Sequence, residues 1–149
     1  MEIITEKRNN FTLTTDRTKM DVSAIHHFLA NESYWSKNIP LERVKIAVEN
    51  SLNFGIFLNE QQVGYARVIS DFSTIAYLGD VFILDGFRGQ GLSKWLMDKI
   101  MAHPNLQGLR RWILLTGDAH ELYKRYGWTN IASPDKWMEK HNPEVYKYV

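Results

Sequence analysis

The stretch from residue 81 to residue 93, VFILDGFRGQGLS, constrains the fold more than any other part of the chain. Residues 81–84 are an apolar run suited to a buried strand, and Gly86, Gly89 and Gly91 then let the backbone turn tightly. Leu92, Trp95, Leu96 and Ile100 follow at helical spacing, and Pro104 stops that helix. The first amides of such a helix have no internal partners and carry the positive end of the dipole behind them. The place suits a pyrophosphate without a dedicated basic side chain. Two familiar glycine loops are excluded by single residues. A Walker A loop from Gly86 needs Lys where Leu92 stands, and a dinucleotide fingerprint from Gly89 needs Gly or Ala where Lys94 stands. A plain strand-to-helix turn is the bland alternative.

The remaining periodicities fill in the frame. A short strand is expected over 11–14, then a helix on Val22, Ile25, Phe28 and Leu29 with Asp21 as its N-cap. Residues 31–39 read as a loop carrying Tyr34 and Trp35, and Pro40 fits the first position of a second helix with Leu41, Val44, Ala47 and Val48 inward. The period then changes to two. Strands over 54–58 and 63–69 form a hairpin across the turn 59–62, and 75–84 is a strand apolar enough to be buried on both faces. After the glycine turn and its helix, 112–115 reads as a further buried strand. Asp118 and Glu121 then form a capping box, Gly127 ends that helix, and a last strand is expected near Trp137. The order β-α-α-β-β-β-α-β-α-β predicts a mixed α/β fold around one sheet, and 149 residues suit one domain.

Composition narrows the function. Eighteen basic residues against 17 acidic ones give a net charge of +1, so neither nucleic acid nor an anionic membrane is an expected partner. The absence of cysteine excludes a disulfide framework, a thiolate nucleophile and a cysteine-ligated zinc site. His26 and His27 are adjacent and cannot share one helix face, and no metal is expected. The opening MEIITEKRNN lacks an apolar run after a basic start, and no aliphatic stretch is long enough to span a bilayer. A cytoplasmic location is the expectation.

Downstream, Ala119-His120-Glu121-Leu122-Tyr123-Lys124-Arg125-Tyr126-Gly127-Trp128 adds a second motif one helix and one strand after the first. Together the two resemble the GCN5-related N-acetyltransferase (GNAT) superfamily. Residues 88–93 match its pyrophosphate loop, Arg/Gln-x-x-Gly-x-Gly/Ala, except that Ser93 takes the last position. The later stretch resembles the family's Ala-x-x-Leu-Tyr-x-x-x-Gly-aromatic motif, with Trp128 where Phe is usual. Thr116 stands where many members have Asn. The resemblance implies a GNAT-like acyl-CoA N-acyltransferase fold. Its central, mostly antiparallel sheet splays between the fourth and fifth strands and is flanked by about four helices.

It also implies roles. Arg88, Gly89, Gln90, Gly91, Leu92 and Ser93 would hold the diphosphate of acetyl-CoA. Main-chain groups of Val81, Phe82 and Ile83 would bond its pantetheine arm and the thioester oxygen, and Thr116 and Tyr123 complete the coenzyme set. Tyr123 would protonate the departing thiolate, since a phenol of pKa about 10 keeps its proton at neutral pH. The acceptor ammonium needs a base; Asp80 and His120 are the candidates, with a deprotonating water chain as the alternative. Tyr34 and Trp35 would wall the acceptor site, or else plug the core. The implied activity is direct acetyl transfer to a primary amine, a small molecule rather than a protein, by a monomer or homodimer. A CoA-binding sensor without turnover is the rival, which would have no use for a tyrosine at 123.

Overall fold

Side chains that alternate between two buried faces build one six-stranded sheet, with helices on either side. The structure is a computed structural model describing residues 1–147; positions 148 and 149, the end of the expected domain, lie outside the described residues. In chain order the strands are β1 (Thr5–Arg8), β2 (Phe11–Thr14), β3 (Leu52–Leu58), β4 (Gln61–Ser70), β5 (Ile75–Ile83) and β6 (Arg111–Leu114). The helices are α1 (Val22–His27), α2 (Leu41–Glu49), α3 (Leu92–Ala102) and α4 (His120–Lys124). Strand order in the sheet follows the chain, antiparallel throughout except for the parallel pair β5–β6, which α3 connects.

Each face has its own core. On one side Leu92, Trp95, Leu96, Met97 and Ile100 of α3 pack on Phe54, Ile56 and Val68 of the sheet. On the other, Ile25, Phe28, Val44 and Val48 of α1, α2 and the turn after α1 meet Tyr65 and Phe82, with Phe28 stacked on Phe82 at 4.0 Å. Asp21 caps α1 as expected, accepting from the Ala24 amide at 3.0 Å.

Several expectations need correction. β1 was not predicted because none of its residues, TEKR, is buried; it is an edge strand. The hairpin turn is shorter than expected, reduced to Asn59 and Glu60, with Asn59 at φ +54°. β5 is not buried on both faces: Ile75 is exposed and Tyr77 only half-buried. β6 is an edge strand of intermediate burial, and Leu115 beyond it is 79% exposed. The strand expected near Trp137 is absent. Pro134 instead opens a single 3-10 turn, and the Trp137 ring lies under the Arg111 guanidinium at 5.2 Å.

The feature that positions the site is a bulge in β5. Asp80 has φ +54°, a left-handed conformation that Asp tolerates better than most residues. The register with β4 slips there, Tyr65 pairing with Phe82 but Arg67 with Gly79. Pairing of β5 with β6 ends just before it, at Leu78 and Leu114. The sheet therefore splays between β5 and β6, the predicted place once the uncounted β1 is added, and residues 79–83 present an unpaired edge.

Candidate active site

Two cavities flank this open edge. The first, about 480 Å³, lies over the glycine turn and is lined by Arg88, Gly89, Gly91, Ser93, Arg125 and Tyr126 among others. Gly89 and Gly91 have φ +81° and +84°, which favours glycine, and a Cβ at either would meet nothing within 4 Å. Packing therefore does not require these glycines; what they provide is backbone shape and an unobstructed approach. Trp95 is the first residue of α3 to bond back, to the Gly91 carbonyl at 3.0 Å, which leaves the amides of Leu92, Ser93 and Lys94 without an intrahelical acceptor. These features fit an anionic ligand. Arg88 serves the loop itself: its Nε donates to the Ile83 carbonyl at 2.9 Å. Gln90 likewise bonds the Phe87 carbonyl at 3.1 Å. Arg125, a residue the motif leaves unspecified, brings a cation from the C-terminal end of α4 to the same cavity.

The second cavity, about 560 Å³, fills the splay. Its lining includes Val81 of β5, Tyr123 of α4 and, from the loop before α2, Tyr34 and Trp35. Asp80 also lines it, but both carboxylate oxygens are engaged. Arg67 Nε donates to Oδ2 at 2.8 Å and Trp35 Nε1 donates to Oδ1 at 2.9 Å. Side chains of the ion pair are only 18% and 11% exposed, unlike surface pairs such as Lys94–Asp98, so its loss would leave a nearly buried charge. Phe82 and Ile83 point into the two cores and contribute only their backbones to the edge.

Across the cavity, the hydroxyl of Tyr34 accepts from the Gly117 amide at 2.7 Å and donates to Asp118 Oδ1 at 3.4 Å. A Cβ on Gly117 would sit 3.2 Å from the Tyr34 hydroxyl oxygen, so glycine keeps the contact close. The capping box expected at 118–121 does not form. Thr116 Oγ1 accepts from the Ala119 amide at 3.0 Å, and the Asp118 carboxylate faces Tyr34.

Tyr123 is 9% exposed. Burial pushes its phenol up to about 12, with smaller contributions from Tyr34 and Asp118. Its hydroxyl has no hydrogen-bond partner among the described residues, and its ring packs on Trp128 at 6.0 Å. His120 is exposed and lines an adjoining cavity of about 310 Å³ with Trp112 and Trp128, and Thr116 and Tyr123 line both that cavity and the splay. The structure thus gathers Tyr34, Trp35, Asp80, Val81, Thr116 and Tyr123 around the splay, with His120 in the adjoining cavity that Thr116 and Tyr123 also line. It adds His141, from the chain's C-terminal segment, which no motif indicated.

Residues 46–130 match the family model of the acetyltransferase (GNAT) domain, more than half of the chain. The chain belongs to the GNAT acetyltransferase family. A provisionally assigned acetyltransferase of Gibberella zeae, FG08082, is 29% identical over 138 residues, covering 78% of this chain and 77% of that one. A crystal structure of a provisionally assigned GNAT acetyltransferase from Xanthomonas campestris pv. campestris is 51% identical, covers 91% of this chain and 96% of the other, and superposes with a TM-score of 0.89. A Clostridium acetobutylicum protein provisionally assigned as an acetyltransferase, crystallised with acetyl-CoA, shares the fold at 17% identity, with a TM-score of 0.65 over 89% of this chain and 95% of that one. This acetyltransferase is an acetyl-CoA-dependent N-acyltransferase. Among its described residues no helix is long and apolar enough to cross a membrane, and no group of three or more His, Cys, Asp or Glu is placed to hold a metal ion.

Proposed function

We propose that the enzyme passes the acetyl group of acetyl-CoA directly to the primary amine of a small molecule, and that residues 1–149 act as one cytoplasmic domain, monomeric or paired. The observation that carries the reading is the meeting of residues 79–81 of the unpaired edge and Tyr123 at one cavity, beside a loop of free amides. The distant Clostridium acetobutylicum fold relative, crystallised with acetyl-CoA, gives the coenzyme reading a precedent.

The amides of residues 89–93, with the Ser93 hydroxyl and Arg125, hold the diphosphate, while Arg88 fixes the loop to β5. Backbone groups of Val81, Phe82 and Ile83 bind the pantetheine arm as an added strand would and orient the thioester oxygen, with Thr116 lining the same channel. When bound, the coenzyme supplies an acyl group activated as a thioester. Tyr123 keeps a proton on its hydroxyl well past neutral pH and gives it to the leaving sulfur. Tyr34 and Trp35 wall the acceptor side, and Asp80, locked by Arg67 and Trp35, sets the bulge that opens the edge. A cavity of about 560 Å³ favours an acceptor of metabolite size over a folded protein surface.

A thiol-release assay with acetyl-CoA across small amines, polyamines and lysyl peptides tests this. Turnover should be confined to small amines. Saturable binding of acetyl-CoA with no thiol released on any amine would overturn transfer and leave a coenzyme sensor.

A further inference from the structure

Among the titratable side chains around the splay, one belongs to no motif. His141 lines the cavity with Tyr34, Arg67, Tyr77, Asp80, Asp118 and Tyr123, carried in by the chain's C-terminal segment together with Pro143. The segment is held on both sides of it: upstream by Trp137 under Arg111, downstream by Tyr146, which reaches a neighbouring cavity with Arg43, Arg67 and Asp80. Asn142 closes the turn after it, its Oδ1 accepting from the Glu144 amide at 3.2 Å.

The other histidines are engaged elsewhere. His26 Nε2 meets the Ile39 carbonyl at 2.9 Å, His27 Nδ1 pairs with Asn31, His103 Nδ1 accepts from Asn105, and His120 lines the adjoining cavity and not the splay itself. Neither ring nitrogen of His141 has a partner among the described residues. Of the remaining cavity groups, Asp80 has both oxygens occupied, and burial raises the phenols of Tyr77 and Tyr123, which suits proton donation rather than acceptance. Asp118 is a carboxylate, a weak base toward an alkyl ammonium, whose pKa is about 10.4. An imidazole is matched to neutral pH.

We propose that His141 is the general base that deprotonates the acceptor amine, an assignment resting on the transfer reading above. Neutral imidazole takes one proton from the ammonium; the nitrogen's freed pair forms the C–N bond and the C–S bond breaks. Of the two protons the nitrogen gives up, one leaves through His141 to solvent, and the other balances the one Tyr123 gives to sulfur. Lys140 and Glu144 on its own segment, with Arg67, Asp80 and Asp118 across the cavity, are the charged groups nearest it in sequence and around the cavity.

The test compares pH profiles of kcat/KM for thiol release by the full chain, His141→Gln and His141→Ala, with acetyl-CoA Kd measured alongside. The wild type should lose activity as pH falls through the imidazole range. Both variants should lose about 10²-fold or more at pH 7, keep their coenzyme affinity, and lose that acid limb. Added imidazole should partly rescue His141→Ala. An unchanged profile in the variants overturns the assignment while leaving amine transfer intact; a wild type inactive on every amine overturns both. Independently, the His141 Cε1–H resonance should shift when acetyl-CoA is added, and no shift would contradict its placement at the cavity.

Discussion

Trp35 donates its indole N–H to Asp80 at 2.9 Å, tying the loop before α2 to the left-handed bulge in β5 across 45 positions of sequence. The same carboxylate holds Arg67, so one residue links the acceptor wall, the bulge and the neighbouring strand. The loop's aromatic pair is therefore a fixed part of the cavity. Trp35 and Tyr34 contact each other edge-on at 5.0 Å, and Tyr34 spans to the α4 side through Gly117.

Trp35→Phe keeps the ring contact with Phe28 but removes the donor to Asp80. A hydrogen bond to a charged group is worth roughly 1.5–3 kcal/mol, and less here because Trp35 is 40% exposed. The acceptor KM should rise by up to about tenfold while the Kd for acetyl-CoA stays within about twofold. Steady-state kinetics with varied amine and a separate coenzyme titration check this.

Asp80→Asn keeps a residue that tolerates φ +54° but removes the charge facing Arg67. With Arg67 only 18% exposed, the cost should be about 1–3 kcal/mol of unfolding free energy. Adding Arg67→Met should recover part of it, because the uncompensated cation goes too. Urea unfolding of both variants gives the answer, and an equal loss in Lys94→Ala, whose partner is on the surface, would contradict the distinction drawn.

Gly91→Val forces a β-branched side chain to φ +84°, a conformation it rarely adopts, in space the protein leaves open. Stability should fall by about 1–3 kcal/mol. Binding of acetyl-CoA should fall below detection by calorimetry even in the folded fraction. Normal affinity in the folded variant would place the diphosphate elsewhere.

What the sequence made legible follows from what determines each element. The coenzyme loop and α3 depend on local signals, three glycines and a helical stripe, and these need no tertiary context to read. β1 is fixed by pairing with β2 and by Glu6 and Arg8 reaching Trp95 and Lys99 of α3, and the tail by Arg111 reaching Trp137; neither leaves a periodic pattern. Asp118 and Glu121 had the spacing of a cap, yet no side chain caps α4: Asp118 faces Tyr34, 84 positions away, and Thr116 accepts from the Ala119 amide. His141 carried no signal at all, since its place depends on how a strandless segment crosses the splay.

The buried phenols make stability fall at alkaline pH. Tyr123 stands at about 12 in the folded protein and near 10 when unfolded, so the unfolded chain sheds its proton first. The stability this group contributes is whole below pH 10 and declines as pH rises from 10 to 12, by roughly 2–3 kcal/mol. Tyr65, raised by burial and bonded to Asn53, acts in the same direction. Urea midpoints between pH 9 and 11 should fall more steeply for the wild type than for Tyr123→Phe.

The most direct measurement is the turnover of Tyr123→Phe beside its affinity for acetyl-CoA. The phenyl ring preserves the packing on Trp128 and removes only the hydroxyl. With Tyr123 as the proton donor to sulfur, kcat should drop about 10²-fold or more while the coenzyme Kd stays within about twofold. A variant that turns over at the wild-type rate would contradict the account.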